Sequence, residues 1–339
     1  MQVVALVESV DHVCCRYRLK PFCAPLAQCG HHLSIRPLPQ NPLGRLAIGY
    51  GLDIAEAVIV QRKLLPRWAV ALLRRRVRNL IFDFDDAVWL RDSYSSRGFV
   101  DPKRAGRFEA IIRASDLVVA GNEYLAAEAA RHTSPARVIV IPTCVEPSKY
   151  TVSQQSVKSA PQLVWVGSSS TLRGLAQFTD TLSAIGRAIP GIRLKLICDS
   201  FLRIPNLAVD ACPWQQETEA AEIASADIGI SWVPDDPWSR GKCGLKILQY
   251  QVAGLPVVAN PVGVNREMVR DRETGFTAVS SEEWVEAISC LINEPGLRQR
   301  MGMAGRQQVE DRYSVTSGAR SWSQALDMLA GIAQLRKTG

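Results

Sequence analysis

The sequence predicts an α/β protein made of two doubly wound parallel-sheet domains, and three observations carry that prediction. Short β-branched runs recur along the chain and are separated by helix-patterned stretches, which is the order of a parallel sheet with crossover helices. That series is interrupted once, by the polar, proline-bounded segment 150–161, YTVSQQSVKSAP, and then starts again. The length, 339 residues, is long for one hydrophobic core and comfortable for two.

The first series begins with QVVALVE at 2–8, followed by a loop and a helix over about 17–28 that Cys29-Gly30 closes. Strands follow at 32–35, 57–61 (AVIVQ), 80–84 (LIFDF), 117–120 (LVVA) and 138–141 (VIVI), with helices at 68–78 and 122–131. After the linker come strands at 163–166, 194–197, 208–211, 228–233 and 257–259. Three helical stretches, 283–292, 296–311 and 315–335, end the chain. Each half therefore reads as a Rossmann-like unit. Ligands bind such sheets at the carboxyl ends of their strands, so two units side by side are expected to face one cleft.

Composition narrows the function classes. Hydrophobic residues make up 47% and charged residues 22%, an ordinary globular balance, and no stretch has the apolar length of a membrane span. The N-terminus lacks the basic flank and cleavage site of an export signal, so a cytoplasmic location is expected. The net charge of +7 suits a phosphate-bearing ligand or an anionic membrane surface. Nucleic acid is not expected, because the chain has no recognised binding motif and no charge gathered with stacking aromatics. The nine cysteines form no C-x-x-C pair and read as reduced thiols rather than metal ligands, so no metal is expected.

The most informative segment is Lys242 to Gly263, KCGLKILQYQVAGLPVVANPVG. Cys243-Gly244 opens a helix with little side-chain bulk, so backbone N–H groups can face an anion where the helix end is partially positive. Leu245, Leu248 and Val252 share one face, Gly254 ends the helix, and PVVA at 256–259 reads as a buried parallel strand. Lys242 and Lys246 add positive charge near the same end. A second phosphate loop is read at the opening of the second half. There LVWV runs into Gly167, then Ser168 to Thr171, with Arg173 six residues past the glycine. The alternative there is a serine-rich turn with a solvated arginine.

The run GLKILQYQVAGLPVVANPVGVNREMV, then DRETGF and DRYSV, resembles the retaining glycosyltransferases of family 4, the group 1 glycosyltransferases. RYRLKPFCAPLAQCGHHL, SDLVVAGNEYLAAEA and IPTCVEPSKY in the first half are similar to the same family. The resemblance implies the two-domain GT-B fold, with an acceptor domain at 1–152 and a donor domain at 160–312. It also implies a tail, 313–339, whose helix returns to the first domain. The implied activity moves a hexosyl-type sugar, with retention, from a nucleotide diphosphate sugar to a glycan or lipid-linked acceptor. No cofactor is implied. The family normally carries two glutamates eight positions apart. Here Gly241 and Gln249 stand at those positions, which leaves two alternatives: a non-catalytic sugar-nucleotide binder or partner subunit, and a GT-B epimerase.

Residue by residue, the resemblance gives Arg173 and Lys242 the leaving phosphate, with backbone N–H groups of Gly244 and Leu245 on its β-phosphate. Gly167, Ser168, Lys246 and Gln249 complete the donor side, Gln249 through its amide oxygen to ribose. Glu267 contacts the sugar or caps its helix, and Trp214 meets the base or fills core. Asp235 and Asp236 read as a loop cap or reach toward the sugar. On the acceptor side stand Asp83, Asp85 and Asp86 at the end of a strand, with Arg16 and Arg18 in the first loop. The basic stretch 62–78, RKLLPRWAVALLRRRVR, fits either an interfacial helix on anionic lipid, giving a peripheral location on the inner membrane face, or a solvated arginine face.

Overall fold

A computed structural model describes residues 1–339 apart from 40, 42, 43, 45, 47, 49, 155–159 and 339, and the side chains of 332–338 are likewise left undescribed. Five residues of the expected linker therefore lie outside the described residues. The chain divides into two compact units. The first holds Met1–Cys144, Asp236–Cys243 and the chain from Val315 on; the second holds Val145–Asp235 and Gly244–Ser314. Contacts thus divide the chain at Cys144/Val145, ahead of the expected linker. They also assign Asp236–Cys243 to the first unit, and with it the first two residues of the most informative segment, Lys242 and Cys243.

The first unit is a parallel six-stranded sheet: β1 (Gln2–Val7), β2 (His32–Pro37), β3 (Ala57–Gln61), β4 (Asn79–Phe84), β5 (Leu117–Ala120) and β6 (Val138–Val140), in the order β2-β1-β3-β4-β5-β6. Winding reverses between β1 and β3. Both faces are covered, so the strands are apolar at successive positions rather than alternate ones. Val4, Val58, Leu80 and Val118 point to one side, where the helices Arg67–Arg76 and Pro102–Ala114 contribute Leu73, Phe108 and Ile112. Val3, Ile59, Ile81 and Val119 point to the other. There Phe22 and Leu26 meet Trp322, Leu326 and Leu329 of the closing helix Val315–Thr338. The helix read over 17–28 is broken into Val13–Arg18, a short 3-10 turn at Lys20–Phe22 and Cys23–Gln28. Pro21 has no N–H to continue the ladder from the preceding turn.

The second unit is another parallel six-stranded sheet: β7 (Gln162–Val166), β8 (Arg193–Cys198), β9 (Ala208–Pro213), β10 (Ile228–Ser231), β11 (Val257–Ala259) and β12 (Gly275–Thr277), in the order β12-β11-β10-β7-β8-β9. Its winding reverses between β7 and β10. The run 228–233 ends as a strand at Ser231 because the Asn260 side chain takes over: Val233 N–H donates to Asn260 Oδ1 (3.0 Å), and Asn260 Nδ2 donates to Val233 O (2.6 Å). The helix Leu245–Val252 is buried nearly all round, not on one face, and only Leu245 and Lys246 in its first turn are half-buried. Gly302 and Gly305 let the helix Pro295–Arg312 approach it, since a Cβ at either would strike Gly254 O or Gln251.

Two strand-end candidate sites

In the second unit the reversal between β7 and β10 opens the sheet. The strands pair at Leu163–Ile228 and Val164–Gly229. Two residues further on, the Val166 N–H donates to Tyr250 Oη at 3.0 Å instead of to a β10 carbonyl. The Tyr250 ring lies where a Cβ on Gly229 would be, so this close approach requires glycine there. Lys246 Nζ sits 4.9 Å from the ring centre of Trp165, a cation–π contact that joins the helix start to β7. The β7 end and the helix Leu245–Val252 therefore converge within one unit.

The two helix starts at this opening differ. Gly244, at φ +65°, caps Leu245–Val252 without any side-chain cap hydrogen bond. The first intrahelical bonds run from Ile247 and Leu248 N–H to Gly244 O (2.9 and 3.3 Å). The N–H groups of Leu245 and Lys246 thus precede the ladder and carry the positive end of the helix. A Cβ on Gly244 would collide with Met268 Sδ. Glu267, exposed on the short helix Asn265–Met268, borders the same place.

The helix Ser169–Gln177 is already occupied by an acid. Ser169 N–H donates to Asp199 Oδ1 (2.5 Å), and Ser169 Oγ donates to Asp199 Oδ2 (2.9 Å). Hydrogen bonds from Cys198 and Ser169 hold the Asp199 carboxyl below its ordinary range. Ser168 N–H donates to Thr171 Oγ1 (3.1 Å), and a Cβ on Gly167 would strike Trp165 and Thr171. The serine turn is thus largely self-satisfied, and Arg173 stands exposed on its helix.

Two other residues expected at the donor share a buried partner. The Gln249 amide donates to Glu219, and Trp214 Nε1 donates to Glu219 Oε2 (2.6 Å). Glu219 begins the helix Glu219–Ala224 and is buried. The Gln249 Nε2 is thus directed to a buried carboxylate. Sequence reasoning missed Glu219, since nothing local marks the first acid of a helix as buried. Asp236 is a loop cap, its Oδ1 accepting from Ser239 N–H at 2.7 Å.

The strand ends of the first unit hold a dense charge cluster. Arg18 and Asp83 are both buried and bonded to each other, with Nη2–Oδ1 at 2.5 Å and both carboxylate oxygens 3.1 Å from Nε. Arg18 Nη1 also donates to Ile141 O (3.0 Å). Burial opposes charge on Arg18, and Asp83 more than offsets it, so the guanidinium pKa rises. These two were expected to touch an acceptor; being fully desolvated and mutually neutralised, they are a structural pair instead. Arg16 is half-buried, 5.8 Å from the Tyr17 ring.

Asp86 lies between two cations. Arg62 Nη2 is 2.5 Å from its Oδ2, and Lys242 Nζ is 2.9 Å from its Oδ1. Lys242 also rests 4.7 Å from the Trp238 ring centre. Burial alone would raise the Asp86 carboxyl, yet Lys242 and Arg62 hold it below the usual carboxylate range. Lys242, expected to hold a leaving phosphate, is thus engaged by a carboxylate of the first unit. Arg62, another residue that sequence reasoning missed as a site residue, has φ +44°, rare for a side chain of its size, just past the end of β3. Asp85 Oδ1 is buried without a hydrogen-bond partner, 3.9 Å from Arg62 Nη1. Among the described residues no group of three or more His, Cys, Asp or Glu side chains is placed to hold a metal ion, and no helix is long and apolar enough to cross a membrane.

The two doubly wound six-stranded parallel-sheet domains have the GT-B fold, as their likeness to solved structures shows. Residues 237–308 match the family described as glycosyl transferases group 1. It is 26% identical over 196 residues to D-inositol 3-phosphate glycosyltransferase of Actinosynnema mirum, an alignment covering 49% of this chain and 46% of that protein. The matched stretch thus spans about half the length of that relative. Sucrose-phosphate synthase from Thermosynechococcus elongatus has the same fold at TM-score 0.78 and 16% identity, covering 98% of this chain and 100% of that one. HepE from Anabaena, solved with UDP and glucose, superposes at TM-score 0.70 and 16% identity, covering 97% and 100%.

Proposed function

We propose that this protein transfers a hexosyl-type sugar, with retention, from a nucleotide diphosphate sugar to a glycan or lipid-linked acceptor. The observation that carries this reading is the Gly244 helix start, where an αL glycine without a side-chain cap opens a helix at the β7–β10 reversal. Backbone N–H groups of Gly244, Leu245 and Lys246 stabilise charge that develops on the departing diphosphate, and Lys246 and Arg173 add formal positive charge. The Gln249 oxygen faces ribose, and Glu267 faces the sugar. On the acceptor side the Asp85 carboxylate accepts a hydrogen bond from the acceptor hydroxyl.

A second reading is a sugar-nucleotide binder without turnover. It is favoured by one observation: Gly241 has no side chain, and the Gln249 amide is already engaged by Glu219. Incubation with a panel of nucleotide sugars separates the two, with UDP-glucose first because HepE was solved with UDP and glucose. Release of free nucleoside diphosphate that depends on an added acceptor supports transfer. Micromolar binding by calorimetry with no release supports the binder, and absence of binding to every nucleotide sugar removes both.

A further inference from the structure

Nearly the whole charge surplus of this chain lies on one helix pair of the first unit. Residues 67–78 and 101–116 carry nine basic side chains and three acidic ones, a surplus of six out of the net +7. The helices Arg67–Arg76 and Pro102–Ala114 pack together: Arg67 Nε donates to Gly106 O (3.2 Å), and Arg107 Nη1 donates to Leu64 O (3.5 Å). Both cover the sheet face opposite the closing helix.

The three acids are already engaged. Asp101 caps Pro102–Ala114 by accepting from Lys103 and Arg104 N–H, Glu109 pairs with Arg113 at 2.9 Å, and Asp116 pairs with Arg74 at 3.3 Å. Arg75, Arg76, Arg78 and Lys103 are exposed and make no ion pair with any described residue. On Arg67–Arg76, Ala69, Val70 and Leu73 enter the core, while Trp68, Ala71 and Arg75 form a line toward solvent. Trp68 is 46% exposed on that line. Arg75, Arg76 and Arg78, neighbours along the chain without ion-pair partners, repel one another, and an indole left in water gains by transfer to an interface. A surface that is both negative and apolar just below its charges relieves both costs. No second exposed aromatic stands beside Trp68 on these two helices to stack a strand of bases.

We propose that this helix pair docks the protein on the anionic headgroups of a lipid bilayer, with Arg75, Arg76, Arg78 and Lys103 against phosphates and Trp68 at the headgroup boundary. Docking does not require the transfer reading, and its test uses no nucleotide sugar. The full chain is floated with phosphatidylcholine vesicles with and without phosphatidylserine, at low and physiological salt. The expected result is binding to the anionic vesicles only, weakened by salt. Each cation removed should lower partitioning about fivefold, so the triple variant Arg75→Ala, Arg76→Ala, Arg78→Ala should lose on the order of a hundredfold. Trp68→Ala should weaken binding and leave its salt dependence intact. Arg266→Ala with Arg300→Ala, exposed charges of the second unit, should bind as the parent does. All variants alter exposed side chains, and an unchanged melting temperature confirms folding. Equal binding to neutral vesicles, no loss in the triple variant, or binding of an RNA oligonucleotide in place of vesicles would each overturn the proposal.

Discussion

The two switch points solve opposite problems with the same topology. At the β1–β3 reversal the strand ends are filled with side-chain charge, three cations (Arg18, Arg62, Lys242) against three carboxylates (Asp83, Asp85, Asp86). At the β7–β10 reversal the polar groups are mostly backbone, and the opening is fixed by an aromatic, Tyr250, over a glycine. A neutralised cluster is rigid and indifferent to ligand charge. A helix start without a side-chain cap is selective for an anion and costs no side-chain ordering when it binds. The lesson is that a shared fold places ligands, while the local choice between side-chain and backbone polarity decides which ligand.

The sharpest way to break the contrast is Arg18→Ala. It leaves Asp83 buried and uncompensated, and should cost about 3–5 kcal/mol in urea unfolding. The double change Arg18→Met with Asp83→Leu should recover most of that loss, since replacing both partners removes the stranded charge. A single variant as stable as the parent would mean that the pair is not desolvated.

Next in size is Tyr250→Phe. It strands the Val166 N–H in a buried place and should cost about 1–3 kcal/mol. Because Tyr250 holds the opening rather than lining it, stability should fall more than UDP affinity. Equal losses in calorimetry and melting would make Tyr250 a ligand contact instead.

Asp86 gives the pH dependence. Its carboxyl is held below its ordinary value, so the stabilisation is complete above the unfolded value of about 3.9 and is lost as pH falls through the lower folded value. Asp86→Asn lacks that contribution at every pH. The melting-temperature gap between parent and variant should therefore be widest near neutrality and narrow below about pH 4. A gap that is constant with pH would show that Lys242 and Arg62 do not stabilise the charged form.

Legibility in the sequence followed the range of the interaction. The parallel sheets were readable because β-branched runs such as AVIVQ and VVA are local, and their ends fell within a few residues. β12 was not read: GFT is three residues long and is recruited only by pairing with Val257–Ala259. The Gly244 helix start was visible because glycine before an apolar run is a local signal. The acid at the rival helix start, Ser169, was not legible because it lies thirty residues on, at the end of β8. The partners of Lys242, Arg18 and Gln249 depend on strand order, which no local pattern encodes.

Asp199 offers the smallest effect and the finest discrimination. Its carboxylate accepts the Ser169 N–H and hydroxyl, so the Ser169–Gln177 helix end presents a negative charge where a phosphate would need donors. Asp199→Asn keeps a side-chain oxygen for the Ser169 N–H but removes the charge, and UDP should then bind a few-fold more tightly because repulsion across the opening falls. Arg173→Ala should act the other way, a few-fold weaker, through loss of an exposed cation. Both shifts should shrink as salt is raised, since both groups are screened. The Gly244 end, built of backbone dipoles, should keep its preference for diphosphate over the free nucleoside at every salt concentration tested. If instead Asp199→Asn weakens UDP binding, the serine turn and its acid form part of the ligand contact, and the division of labour between the two helix starts is the reverse of the one drawn from the geometry.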